Sequence, residues 1–272
     1  MTDAFEWQGK VGETWASEWQ RTDRSLAAVQ DALLRALGER MTNPQRILDI
    51  GCGAGSTTIT AAARFPEAGC TGIDLSSALI DVARSRAAAT DCRFVCADAS
   101  SWSDPAFPPD ALISRHGVMF FDDPVAAFRH LGACAAPGAR LVFSCFRSAS
   151  ENEWATSMMD LLPAQPPADP LAPGPFAFAD PNRVSALLSA AGWQDAQPQP
   201  LDWDYVAGAG QSAVADALDF FQHIGPAARA SRSLDRTQRA DFMEKLERLL
   251  ADHLFDGRVS FRAAGWIWTA HR

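Results

Sequence analysis

Three glycines at alternate positions, in Ile47-Leu48-Asp49-Ile50-Gly51-Cys52-Gly53-Ala54-Gly55-Ser56, are the residues of this chain best placed to do chemistry. They follow an apolar, β-prone run and precede a segment that reads as a helix. Glycine at such places lets a turn take unusual φ/ψ values and lets a ligand approach the backbone closely. A helix starting just beyond offers free N–H groups and a partial positive charge to an anionic part of that ligand. The pattern is that of a nucleotide-type cofactor site. A dinucleotide fingerprint, G-x-G-x-x-G, needs its third glycine where Ser56 stands, and Gly55 comes one residue early.

Carboxylates extend the pattern. Asp49 sits inside the end of the first apolar run. Asp74 closes a second run, Gly69-Cys70-Thr71-Gly72-Ile73-Asp74-Leu75, where a carboxylate at a strand tip can accept from both hydroxyls of a ribose. A third run, Arg93-Phe94-Val95-Cys96-Ala97-Asp98, again ends in Asp. The tips at Gly51, Asp74 and Asp98 are thus expected along one edge of a sheet.

Asp49-x-Gly51-x-Gly53-x-Gly55, Asp74-Leu75 and Ala97-Asp98-Ala99 together resemble the class I S-adenosylmethionine-dependent methyltransferases of small-molecule type, over roughly residues 40–147. The resemblance implies S-adenosyl-L-methionine as cofactor. Gly51, Cys52 and Gly53 then contact the methionine moiety through backbone, and Gly55 lets the helix pack. Asp74 holds the ribose and Leu75 flanks the adenine. Asp98 accepts from the adenine amino group with the Ala99 backbone beside it. Asp49 orders the loop or meets the methionine amino group, and Arg115 gives backbone to the methionine end.

The sulfonium methyl is already activated, so the enzyme mainly holds a nucleophile in line with sulfur, which supplies up to ~7–11 kcal/mol of the barrier. A hydroxyl or amine acceptor profits from a base as well, whereas a carboxylate or thiolate needs none. His116, at the tip of the fourth strand, is the candidate base; the competing reading is local packing beneath the pocket. His223 is a weaker candidate on a cap helix, where a surface imidazole is the plainer account. Met119 and Phe120 are candidate substrate contacts, with core packing as the alternative. Trp15 shares a helix face with Trp19 and either anchors that helix or covers the cofactor. The segment Trp7-x-Gly9-x5-Trp15-x7-Asp23-Arg24 resembles an N-terminal lid of bacterial members of the family. His130 and His253 read as solvent-facing helix positions. A rival to transfer is a protein that senses S-adenosylmethionine without catalysis, or uses the site for non-methyl chemistry.

The elements that must position these groups alternate. Residues 5–40 read as helical, with Leu26, Val29, Leu33, Leu34 and Leu37 at helical spacing. Strands ending near Gly51, Asp74, Asp98, Arg115 and Phe146 alternate with helices near 56–64, 77–89 and 124–136. That order implies parallel βαβ units and a doubly wound, mostly parallel sheet, seven-stranded by the resemblance. Beyond residue 150 a helix at 182–191, a strand near 201–206, helices at 213–224 and 235–252 and a last strand at 259–270 are expected. In the family that last strand inserts antiparallel. Residues 163–181 hold seven prolines and read as a lid or wrap. The expected domains are an N-terminal helical lid (1–40), a cofactor-binding core (41–150), and the rest of the core (151–272) with cap insertions near 151–181 and 208–255.

Composition narrows the partners. Hydrophobic residues make up 47% and charged residues 21% of 272 residues, an ordinary globular balance. A net charge of −9 disfavours polyanions, and the most cationic stretch, 229–248, is interleaved with acids. A small molecule is the expected partner, with no nucleic acid and no membrane insertion, since no apolar run reaches spanning length. No secretory leader pattern is visible, and the six cysteines suggest neither zinc nor a disulfide framework, Cys92-x3-Cys96 being only a faint metal or redox hint. The expectation is reduced core thiols in a cytoplasmic protein and no bound metal.

Overall fold

The computed structural model describes residues 4–163, 169 and 172–272. Seven residues of the proline-rich stretch expected to act as a lid or wrap, 164–168, 170 and 171, lie outside the described residues.

Four helices open the chain: α1 (Ala4–Gln8), α2 (Lys10–Ser17), α3 (Trp19–Ser25) and α4 (Ala27–Arg40). The helical stretch expected over 5–40 is therefore broken at Gly9, Glu18 and Leu26, none of which supplies a side-chain cap. On α4 the periodic residues Val29, Leu33, Leu34 and Leu37 are all buried.

Strands and helices then alternate as β1 (Arg46–Ile50), α5 (Ser56–Arg64), β2 (Gly69–Asp74), α6 (Ser77–Arg86), β3 (Arg93–Cys96), β4 (Ala111–Arg115), α7 (Pro124–Cys134) and β5 (Arg140–Phe146). The caps act as their residue types require: Ser76 accepts from the Leu79 amide, and Asp123 from the Ala126 amide ahead of Pro124. The third strand ends at Cys96, two residues short of Asp98. The Asp98 carboxylate turns back on the Ser100 amide at 2.8 Å, which favours a turn over continued strand.

The second half comprises α8 (Glu153–Met159), α9 (Pro181–Ala190), β6 (Gln194–Ala209), α10 (Ala213–His223), α11 (Pro226–Ala230), α12 (Arg236–Asp252), β7 (Leu254–Phe255) and β8 (Arg258–His271). The sheet order is β3-β2-β1-β4-β5-β8-β6. β1 to β5 pair in parallel, and β8 inserts antiparallel between β5 and β6. An eighth, two-residue strand, β7, pairs only with β8, an addition to the seven expected. The strand expected at 201–206 runs ten residues longer, through Pro198 and Pro200. Proline removes a ladder donor, but β6 is the edge of the sheet, where a missing donor is tolerated.

The strand order reverses between β1 and β4, which opens a crevice at their carboxyl ends. No helix among the described residues is long and apolar enough to cross a membrane. On α12, Lys245 pairs with Asp241 at 2.7 Å and Arg248 pairs with Glu244, so the cationic stretch is internally compensated.

Candidate functional site

A cavity opens at that crevice, with about 1460 Å³ of empty space counting its mouth. The β1–α5 loop forms its floor. Gly51, Gly53 and Gly55 all take positive φ, at 63°, 55° and 81°. A Cβ on Gly55 would meet Ala83 and Phe94 at 2.9 Å, so Gly55 serves packing. A Cβ on Gly53 would meet nothing within 4 Å, so that side of the loop is open.

Asp74 fastens the loop. One carboxylate oxygen accepts from the Gly53 amide and the other from the Ser76 amide, each at 2.9 Å. Burial pushes its pKa up, and these amide bonds pull against that. Asp49 lies behind the loop, fully buried, with Oδ2 accepting from Thr58 Oγ1 at 2.6 Å and Oδ1 unpartnered among the described residues. Burial lifts its pKa to about 7, against the hydrogen bond from Thr58 and the charge of Arg115.

The N-terminal helices close one side. Asp23 on α3 bridges two arginines, Arg86 at 2.8 Å and Arg115 at 2.8 Å. The Arg86 guanidinium also lies 3.8 Å over the Trp19 ring and donates to the Ala54 carbonyl at 2.7 Å. Trp7 and Trp15 lie 5.6 Å apart, and Trp7 meets Phe120 edge-on at 5.1 Å. The far side is aromatic. Phe146, Trp154 and Tyr205 are linked by ring separations of 5.1 Å at each step.

His116 stands between the walls. Its φ is 61°, in the left-handed region that costs a β-carbon residue energy. The amide donates to Ser144 Oγ at 3.1 Å, and Nδ1 lies 2.8 Å from the same oxygen. The ring meets Phe146 edge-on at 4.2 Å. Burial, aided by the Arg115 charge, presses its pKa down to about 3, so the imidazole is neutral.

Of the residues singled out by sequence, Trp15, Gly51, Cys52, Gly53, Asp74 and Leu75 line this one cavity. So do Asp98, Ala99, Arg115, His116, Met119 and Phe120. Asp49 and Gly55 support the loop from behind. His223 is not brought to the cavity. It is half exposed on α10, with Nδ1 2.9 Å from its own helix's Asp219 carbonyl and 3.5 Å from Glu18, because the amphipathic α10 buries Phe220 and Phe221 instead. His130 and His253 are not solvent-facing: His130 Nε2 lies 2.7 Å from the Trp102 carbonyl, and His253 stacks on Phe261 at 4.2 Å. All six cysteines are free, but Cys96 is exposed and Cys92 and Cys134 half-buried, so only Cys52, Cys70 and Cys145 are core thiols.

Trp154, expected from sequence in an aromatic cap over a closed pocket, lines the cavity. Sequence reasoning gave no site role to Asp23, Thr22, Tyr205, Ile224 or Gly225, which line it as well. Asp23 carried a signal, its place in the N-terminal motif. The others carried none, since they come from three separate parts of the chain. Four lining polar atoms have no partner among the described residues: Trp7 Nε1, Thr22 Oγ1, Arg115 Nη1 and His116 Nε2. Buried groups left so are costly without a ligand or water.

Residues 47–138 match the model of a family described as "Methyltransferase domain". Two curated relatives are named trans-aconitate 2-methyltransferase. The one from Paracidovorax citrulli is 38% identical over 96 residues, 35% of this chain and 36% of its own length. The one from Escherichia coli K12 is 35% identical over 97 residues, 36% of this chain and 37% of its own length. The matched stretch thus spans little more than a third of either relative. Among solved structures, Haemonchus contortus phosphoethanolamine N-methyltransferase 2, in complex with S-adenosyl-L-methionine, superposes with TM-score 0.52 at 14% identity, covering 89% of this chain and 52% of that one. The YcgJ protein of Bacillus subtilis superposes with TM-score 0.54 at 17% identity, covering 89% and 98%. At such identities the likeness speaks for the fold.

Proposed function

We propose that this chain is an S-adenosyl-L-methionine-dependent methyltransferase acting on a small, partly apolar metabolite, a reading supported by the match of residues 47–138 to a methyltransferase-domain model. The observation that carries this is Asp74, clamped by the Gly53 and Ser76 amides beside a loop whose Gly53 side is open. A carboxylate so fixed is preorganised to accept from a vicinal diol.

The lining fits the cofactor. Gly51, Cys52 and Gly53 would meet the methionine moiety through backbone. Arg115, assigned only a backbone role from sequence, has a guanidinium nitrogen free to take the methionine carboxylate, with Thr22 Oγ1 as a second unpartnered group. Asp74 would hold the ribose, with Leu75 beside the adenine. Asp98 keeps one carboxylate oxygen beyond its bonds to Ser100 for the adenine amino group, with Ala99 adjacent. Trp15 would cover the cofactor from the helical side. Bound S-adenosyl-L-methionine would supply a sulfonium-activated methyl group.

The chain's own contribution is then positioning. Residues 1–40 act as a lid, latched by Asp23. Met119, Phe120 and the aromatic wall hold the acceptor and exclude water, and alignment of this kind is worth up to ~7–11 kcal/mol. Free cysteines support a reducing, cytoplasmic setting. The test is calorimetric titration of S-adenosylmethionine and S-adenosylhomocysteine into wild type and Asp74→Ala. Binding by wild type that is lost in the variant, followed by transfer of labelled methyl groups to small acceptors, is the expected result. No binding to wild type overturns the reading, and binding without transfer to any acceptor favours a sensor.

A further inference from the structure

The hydrogen-bond arithmetic around Ser144 fixes which nitrogen of His116 carries the proton. Ser144 Oγ receives the His116 amide at 3.1 Å, and its only other partner among the described residues is His116 Nδ1 at 2.8 Å. A hydroxyl has one proton to give. Were Nδ1 protonated, it too would donate to Oγ, and the buried Ser144 hydroxyl proton would have no acceptor. Were both ring nitrogens protonated, the same fault would arise beside the Arg115 charge. With Ser144 donating to Nδ1, both the Ser144 hydroxyl and Nδ1 are satisfied and the ring proton falls on Nε2. Ser144 is fully buried, so an unmet donor there is disfavoured.

The Nε2 edge is the one unpartnered among the described residues, on a ring that lines the cavity. We propose that His116 is a fixed hydrogen-bond donor, presenting Nε2–H to an oxygen of the methyl acceptor, and takes no proton in the reaction. This rests on the methyltransferase reading and reverses the role of general base expected from sequence. Nothing packed on the ring makes it a better base: Phe146 and Trp203 are uncharged, Tyr205 lies beyond them with its hydroxyl tied to Ser25, and the neighbouring charge is the cation Arg115.

The donor role selects a class of acceptor. Without a base at this position, an oxygen nucleophile has to arrive ionised, as a carboxylate, enolate or phenolate. Transfer to such an oxygen releases no proton: its lone pair forms the O–C bond, the C–S pair stays on sulfur, and both partners lose their charge. The rest of the acceptor is apolar. Among the described residues Arg115 is the lining's single cation, and it already meets Asp23, so a second or third carboxylate would find no counter-charge there.

The test is nitrogen-15 NMR of the full chain labelled at histidine, with benzoate as the probe of an oxyanion on an apolar ring. The expected result is a His116 ring protonated at Nε2 and bare at Nδ1, unchanged from mildly acid to mildly alkaline pH. Benzoate added to protein saturated with S-adenosylmethionine then shifts the Nε2–H resonance. In His116→Phe it binds about tenfold or more weakly, as loss of a charge-assisted hydrogen bond requires, while His116→Gln, which keeps a donor there, recovers most of the affinity. A proton on Nδ1, a titration midpoint near neutrality, or benzoate that leaves Nε2–H unmoved overturns the proposal. Failure of S-adenosylmethionine to bind the same sample defeats the methyltransferase reading instead and leaves the tautomer assignment standing.

Discussion

The two walls of the cavity are built by opposite means. The wall at the tips of β1 and β2 is held by short, directional bonds within one stretch of chain: Asp74 to Gly53 and Ser76, and Asp49 to Thr58. The wall of Phe146, Trp154 and Tyr205 is held by ring packing among residues far apart in sequence. The first wall therefore tolerates little change in residue type. The second tolerates change of type provided that volume is kept. A cofactor common to many enzymes suits the first, and an acceptor that differs between enzymes suits the second.

Asp74→Ala is expected to break the polar wall outright. It removes two charge-assisted bonds of ~1.5–3 kcal/mol each, so cofactor affinity falls by about 10²–10⁴-fold in calorimetry. Trp154→Ala attacks the other wall. Trp154 is 4% exposed, so a cavity there costs ~3–5 kcal/mol of stability in chemical denaturation, while cofactor affinity in the folded fraction stays within a few-fold of wild type. A comparable loss of cofactor affinity would show that the walls are not independent.

Asp23→Ala probes the seam between them. It releases Arg86 and Arg115 together and leaves two arginines without their carboxylate. We expect about tenfold weaker cofactor binding and faster hydrogen exchange through α2 and α3, since a lost ion pair of this kind is worth ~1–3 kcal/mol. Unchanged exchange would mean that the helices are held by packing alone.

The effect of Asp49→Asn is confined to the pH dependence of stability. The folded pKa near 7 lies above the ordinary 3.8, so the folded protein binds a proton that the unfolded chain has released. Stability from this group is full at acid pH and is lost as pH rises from about 4 to about 7. Thermal melts of Asp49→Asn are expected to lose that part of the slope. An identical pH slope in wild type and variant would remove Asp49 as its source.

How far each wall could be read from sequence follows its construction. The polar wall was legible because its partners are close along the chain and its geometry demands particular residues: glycine for positive φ, serine for the cap of α6, aspartate for a strand tip. The helix broken at Gly9, Glu18 and Leu26 was not, since a periodic pattern does not reveal where a helix bends over a cavity. The full length of β6 was not legible, since proline removes a ladder donor and only the sheet order makes Pro198 and Pro200 edge residues. His223 was misplaced for a related reason. Its helix was rightly assigned, but the side that buries Phe220 and Phe221 turns it away from the cavity.

The sequence by itself determined the parallel sheet, the glycine loop and the three acidic positions, because these depend on backbone conformation and spacing that a few residues dictate. The tertiary structure alone decided that Asp23 latches the N-terminal helices, that Trp154 and Tyr205 meet Phe146, and that Ser144 governs the proton on His116. Ser144 lies 28 residues from His116 and Asp23 lies 92 from Arg115. Contacts over such separations are set by how strands and helices pack, and no local preference of either residue encodes them.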